Sequence, residues 1–220
     1  DGSDRVSGGG GDDTIAAGDG ANGVRGDSGS YDGTTLRSDA DTRDGADDIT
    51  TGAGGDLIIG GGNPEVDTAA AAATYTDVIR AGEGDNVVIG DSGAFDGTMG
   101  TSALAARDGV DTVTTGAGND WVVLGQGDDT AALGAGDNRV LGDSGTLTAT
   151  NATSTSTAEG GDDTITTLGG ADVVIGGAGA DGLTLGGGDN IALGDAGEID
   201  APTQTISSTR TTGDGADVIT

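Results

Sequence analysis

The feature that most constrains this chain is a nine-residue recurrence in which an Asp or Asn is followed two positions later by a small aliphatic residue. Asp111, Asp120, Asp129 and Asn138 stand nine apart and lead to Val113, Val122, Ala131 and Val140. The same frame takes in Asp4, Asp13 and Asn22, then Asp47, Asp56, Asp77 and Asn86, then Asp163, Asp172, Asp181 and Asn190, and finally Asp217. Its other aliphatic positions are Val6, Ile15, Val24, Ile49, Ile58, Ile79, Val88, Ile165, Val174, Leu183, Ala192 and Ile219. Sixteen aliphatics in register are not what a disordered Gly/Asp-rich linker needs. They predict a stack of short strands, each burying one residue against its neighbours.

Gly-x-Gly turns precede most of these Asp and Asn residues, as in Gly52-Ala53-Gly54, Gly116-Ala117-Gly118, Gly134-Ala135-Gly136 and Gly186-Gly187-Gly188. Such turns expose backbone carbonyls, and a nearby carboxylate completes an oxygen-only shell suited to Ca²⁺. With these features the sequence resembles the RTX family of calcium-binding nonapeptide repeats. The clearest copies are Gly8 to Ala16 and Gly176 to Thr184. The resemblance implies an all-β, right-handed parallel β-roll (a β-solenoid) with two nonapeptides per coil and Ca²⁺ between stacked turns. Its expected ligands are Asp4, Asp13, Asp47, Asp56, Asp77, Asp111, Asp120, Asp129, Asp163, Asp172, Asp181 and Asp217. Asn22, Asn86, Asn138 and Asn190 are expected to mark weaker or altered metal turns.

Composition agrees. The 220 residues include 48 Gly, 38 acidic and 8 basic side chains, no Cys and no His, for a formal charge of -30. Leu, Ile, Val and Phe amount to about 17%, too few for a conventional core at this charge. Adjacent carboxylates would repel without a cation, so folding and metal binding are expected to be one event. The charge argues against nucleic acid and anionic lipid as partners, and no apolar run reaches the ~20 residues of a membrane helix. Without His or Cys, imidazole bases, thiol nucleophiles and the usual zinc ligands are missing, so no enzyme is expected.

If successive nonapeptides alternate sides, the turn residues sort into two columns. Asp13, Asp47, Asp77, Asp111, Asp129, Asp163, Asp181 and Asp217 form an all-Asp edge. Asp4, Asn22, Asp56, Asn86, Asp120, Asn138, Asp172 and Asn190 form a strictly alternating one. Insertions at roughly 26–44, 60–76, 90–108, 142–160 and 194–214 all interrupt the all-Asp edge. Four open on Gly26-Asp27-Ser28-Gly29, Gly90-Asp91-Ser92-Gly93, Gly142-Asp143-Ser144-Gly145 and Gly194-Asp195-Ala196-Gly197. They divide one continuous array, 1–220, into blocks of about 1–43, 44–107, 108–158 and 159–212, with a further block starting at 213–220. Tyr31, Tyr75, Phe95, Leu36, Met99, Leu104, Leu147, Ile199 and Ile206 fall within the insertions.

One outer face is expected to carry threonines. The other carries an aliphatic stripe including Leu57, Ile59, Val87, Ile89, Trp121, Val123, Leu141, Val173 and Ile175. So much apolar surface needs a cover, either the insertions folding back or a neighbouring chain. The Gly-Asp-Ser-Gly tetrapeptides resemble a protease nucleophile motif but read better as turns, since a triad needs a base. The expected function is a calcium-dependent structural segment of a large secreted or cell-surface protein: an extender, surface-layer or filament component, with self-association or neighbouring repeat chains as partners. Family precedent implies one-step export and folding outside the cell. The alternatives are an adhesive module for ice or glycan, and the secretion block of a toxin or hydrolase.

Overall fold

The computed structural model describes residues 2–39, 45–62, 76–102, 109–155, 160–209 and 213–220. Among them there is no helix, and twenty-four short strands form three eight-stranded sheets. Two of the sheets are the parallel walls of a β-roll. The inner wall contains Arg5–Ser7, Gly23–Arg25, Leu57–Ile59, Val87–Ile89, Trp121–Gly125, Arg139–Asp143, Val173–Gly177 and Ile191–Asp195, in that order. The threonine wall contains Thr14–Gly18, Asp48–Thr51, Val78–Arg80, Thr112–Thr114, Thr130–Ala132, Thr164–Thr166, Gly182–Thr184 and Val218–Ile219. Most strands are brief because a nine-residue unit must also make a turn, which leaves about three residues for the ladder.

Register follows the repeat. Val88, Val122, Val140 and Val174 are successive partners in the inner wall, and Val113, Ala131 and Ile165 in the threonine wall. A one-residue slip would turn this whole set outward, so burial itself fixes the pairing. Thirteen of the sixteen frame aliphatics are buried in the core between the walls, and Val6 and Ala192 pack against it half-buried. Ile219, on the last strand, is exposed.

The third sheet comes from the insertions. Antiparallel hairpins at 29–38, 93–102, 145–154 and 197–208 lie over the outer side of the inner wall. Each pairs with the next: Leu36 faces Phe95, Gly100 faces Leu147, and Ala152 faces Ile199. The hairpins leave after Gly23–Arg25, Val87–Ile89, Arg139–Asp143 and Ile191–Asp195, which are alternate strands of the wall. Neighbouring strands lie ~4.8 Å apart. A two-stranded hairpin therefore rises by the same amount as two coils, and the cover stays in step with the roll. Continuous pairing thus needs one hairpin per two coils. The insertion expected at about 60–76 falls largely on 63–75, outside the described residues, as do Tyr75 and Leu104.

These hairpins settle what covers the stripe. Ile59, Ile89, Leu141 and Ile175 are completely buried and Val123 is 1% exposed. They pack against Leu36 in one cluster and against Leu147, Ala152 and Ile199 in another. The inner wall is thus buried on both faces, which is why its strands read as unbroken runs such as Val87-Val88-Ile89. Trp121 meets the edge of Phe95 with ring centroids 6.5 Å apart. The glycine closing each tetrapeptide permits the close approach: a methyl group on Gly145 would strike Leu141 and the Thr153 carbonyl. Met99 and Ile206 remain exposed.

Candidate metal sites

The all-Asp edge is a continuous ladder. The backbone N–H of each column Asp donates to Oδ1 of the next: Asp13 to Asp47 at 2.8 Å, Asp47 to Asp77 at 2.7 Å, Asp77 to Asp111 at 2.8 Å and Asp111 to Asp129 at 2.6 Å. Asp129 continues to Asp163 at 2.9 Å, Asp163 to Asp181 at 2.9 Å and Asp181 to Asp217 at 3.0 Å. The turn places each carboxylate over the neighbouring coil because the Asp immediately precedes a threonine-wall strand, where the chain bends back into register.

From Asp47 to Asp217 one oxygen of each carboxylate is thereby used. The other, Oδ2, is buried without a hydrogen-bond partner in Asp13, Asp47, Asp163 and Asp181. It faces a glycine at the end of an inner-wall strand. A methyl group on Gly26, Gly142 or Gly176 would collide with Oδ2 of Asp47, Asp163 or Asp181, and also with the carbonyl of Gly60, Gly176 or Gly194 from the next coil. A carboxylate oxygen and a carbonyl oxygen thus converge on each glycine. Burying a charged oxygen without a partner costs several kcal/mol.

The acid–base behaviour records that cost. Burial, with the Asp13 and Asp12 charges adding to it, pushes Asp47 up to about 6. Burial and the Asp217, Asp143 and Asp162 charges push Asp181 up to about 7. Asp163 is raised well above the ordinary carboxylate value by burial and by Asp129, Asp143 and Asp181. All three therefore bind protons more tightly in the folded chain than in the unfolded one. Their contribution to metal-free stability is complete below the ordinary value near 4 and disappears as pH rises through about 6 to 7. Protein in chelator should accordingly gain β structure on acidification from pH 8 to pH 5, as read by circular dichroism. A chelated chain that loses structure across that interval would contradict the linkage.

These groups fit a hard divalent cation. The donors are all oxygen, the orphaned carboxylate oxygens are buried, and the glycines keep the space clear. Among the described residues no three acidic side chains converge on one point. A Ca²⁺ held by Asp13, Asp47, Asp163 or Asp181 and their column neighbours would draw most of its ligands from turn carbonyls.

The tetrapeptide acids contribute something their sequence setting did not reveal. Asp91 and Asp143 are fully buried pins. Asp91 accepts from the Gly109 and Gln126 N–H groups at 3.2 and 2.8 Å, and Asp143 from Gly161 and Ala178 at 3.3 and 2.5 Å. Asp27 likewise accepts from Gly45 at 3.2 Å. Each ties the coil where an insertion returns to the roll, and Asp91 and Asp143 also hold the coil beyond it. Charge at these pins is what adds Asp143 to the field around Asp163 and Asp181. The only hint in sequence was the recurrence of a carboxylate at the same place in each tetrapeptide. Ser92 donates to the Gly62 carbonyl at 2.8 Å, as a turn residue would.

On the alternating edge the backbone ladder is the same, but the side chains differ. Asp4 donates its N–H to Asn22 Oδ1 at 3.0 Å, and Asn22 to Asp56 Oδ1 at 2.9 Å. The pattern continues through Asn86, Asp120, Asn138, Asp172 and Asn190. Each Asn side-chain amide then turns toward its own glycine turn. Asn86 Nδ2 donates to the Gly82 and Gly84 carbonyls at 3.0 and 2.9 Å and to Asp120 Oδ1 at 3.0 Å.

The RTX calcium-binding nonapeptide repeat (4 copies) matches residues 1–31, 72–94, 96–131, 116–146 and 157–197, together well over half of the chain. No curated protein and no solved structure matches it.

Proposed function

Because the chain belongs to the RTX calcium-binding nonapeptide-repeat family, we propose that it is a calcium-dependent structural segment of a secreted or cell-surface protein, folding as Ca²⁺ becomes available outside the cell. The repeats of this family bind Ca²⁺ and are typical of secreted proteins. Among the described residues no helix is long and apolar enough to cross a membrane. The observation that carries the reading is the unbroken all-Asp ladder from Asp13 to Asp217, which joins every coil of the threonine wall to the next. The proposed ligands there are Asp13, Asp47, Asp77, Asp111, Asp129, Asp163, Asp181 and Asp217. Bound Ca²⁺ would supply the positive charge that lets these carboxylates stay ionised at neutral pH.

A linear stack of near-identical coils transmits load along its axis and needs no catalytic residues, which suits an extender better than an enzyme. With the aliphatic stripe covered by the chain's own hairpins, lateral self-association has lost its apolar driving force. The extender therefore stands ahead of the filament and surface-layer roles. The adhesive alternative keeps one supporting feature, the exposed threonines Thr112, Thr130 and Thr164 in register on an open wall. Small-angle scattering with sedimentation tests the proposal: calcium should convert an expanded chain into a compact monomeric rod. A compact particle of the same dimensions in chelator at pH 8 would overturn it.

A further inference from the structure

We infer that the alternating edge is closed by the protein itself, with the asparagine amide standing between coils where the all-Asp edge takes a calcium ion. The argument rests on the calcium reading of that opposite edge. Asn22, Asn86 and Asn138 repeat one arrangement. Nδ2 donates to the carbonyls of the glycines four and two residues earlier and to the carboxylate of the next coil, all at 2.9 to 3.3 Å. Two turn carbonyls and a carboxylate are the oxygens that a hard cation would gather. Here an N–H₂ group has gathered them, and both of its protons are used. The amide orientation is fixed by the network, because Oδ1 receives the N–H of the preceding column residue, and exchanging O and N would set donor against donor.

A second pattern, independent of the first, concerns the acids in this column. Five residues before Asp56, Asp120 and Asp172 stand Thr51, Thr115 and Thr167. Five before Asn22, Asn86, Asn138 and Asn190 stand Ala17, Ala81, Leu133 and Leu185. Thr167 donates its hydroxyl to Asp172 Oδ2 at 2.7 Å, in a buried pair. Asp172 Oδ1 meanwhile receives the N–H and the Nδ2 of Asn138, both at 3.0 Å. Both oxygens of that carboxylate are thus satisfied by protein donors. In the other two turns Thr51 and Thr115 occupy the same place, but their hydroxyls make no hydrogen bond and Oδ2 of Asp56 and Asp120 is buried without a partner. At the same offset on the other edge, where no insertion intervenes, Asp13, Asp129 and Asp181 have Gly8, Leu124 and Gly176, which bring no side-chain donor. A hydroxyl is supplied only where the column holds a carboxylate and the neighbouring coil holds an amide. The consequence is that Asp172, which the repeat pattern assigns to calcium, serves as a hydrogen-bond acceptor through both oxygens, that Asp56 and Asp120 accept from Asn22 and Asn86 through Oδ1, and that the asparagine turns leave cations to the all-Asp edge.

Trp121, the sole tryptophan, directly follows Asp120. The all-Asp edge lies at the far end of its strand, Trp121–Gly125, ~13 Å away at the usual rise per residue. Terbium, which replaces calcium and is excited by a tryptophan close beside it, therefore reports on the near edge. In the full chain saturated with terbium, tryptophan-sensitised emission should be weak although the ion is bound. Combined Asn86→Asp and Asn138→Asp replacement should raise that emission several-fold and add at least one calcium per chain in equilibrium dialysis. Strong emission from the wild-type chain, or an unchanged calcium count in the folded double variant, would overturn the inference while leaving calcium on the all-Asp edge intact. A wild-type chain that binds neither ion would instead overturn the calcium reading itself. The wild-type measurement decides the matter even where the double variant does not fold.

Discussion

Chelation at pH 8 should abolish most of the β signal of this protein, and millimolar calcium should restore it in one cooperative transition. Unit charges on adjacent rungs of the all-Asp ladder, at the strand spacing of ~4.8 Å, repel by roughly 3 kcal/mol each at an effective dielectric near 20. Seven such contacts run from Asp13 to Asp217. A domain's net stability is only about 5–15 kcal/mol. Repulsion of this size must be removed by a cation or, at lower pH, by protons. Magnesium should replace calcium poorly, because it demands a smaller, stricter octahedron than carbonyl-lined turns provide. Far-UV circular dichroism through a calcium titration measures the effect, and a folded spectrum in chelator at pH 8 would refute it. The closed alternating edge does not rescue the metal-free chain, since the roll cannot stack its coils with the opposite edge forced apart.

The roll itself was legible because its information is periodic. Val122 and Val140 occupy equivalent places in equivalent units, so position in the repeat predicts position in the ladder, and the walls and inner core follow. The cover sheet was not legible in the same way. Its hairpins differ in sequence, and the residues that seal the wall do not keep one place in them: Leu147 and Ile199 lie on the first strand of their hairpins and Leu36 on the second. The sequence did show that the Ile59 and Ile175 face needed a cover and that the insertions start beside it. What it lacked was the geometric identity between two hairpin strands and two coils.

The candidate sites divide along the same line. The two columns of Asp and Asn are plain in sequence, and so is their alternation. The partners of each asparagine amide are not, because the Gly82 and Gly84 carbonyls turn toward Asn86 only when its own turn closes, and Asp120 meets it only across a coil boundary. The Thr167 hydroxyl on Asp172 is equally invisible until the turn closes, although the matching of Thr with Asp and of Ala or Leu with Asn was present in the chain. Asp91 and Asp143 sat in tetrapeptides that looked like simple turns. Their role as pins depends on N–H groups contributed by Gln126 and Ala178, 35 residues away in each case.

The doubly buried inner wall makes the second large expected effect. Ile175→Asp should unfold the calcium-loaded protein rather than merely alter its surface. On the bare stripe that the sequence left open, an aspartate there would have improved solubility and impaired only association. Ile175 is fully buried, in a cluster with Val123, Leu141, Leu147, Ala152 and Ile199, and none of these side chains can donate to a carboxylate. Substitution loses the packing of a large aliphatic side chain, worth about 2–5 kcal/mol, and adds an unpaired buried charge. The sum approaches the whole stability of an ordinary domain. Thr164→Asp provides the contrast. Thr164 is exposed on the threonine wall, and a surface substitution of this kind changes stability by about 0.5 kcal/mol or less. Thermal denaturation in saturating calcium should therefore show Ile175→Asp lacking a cooperative transition and Thr164→Asp close to wild type. Near-native melting of Ile175→Asp would mean that the hairpins do not seal the wall in solution, and the stripe would again be free to meet a neighbouring chain.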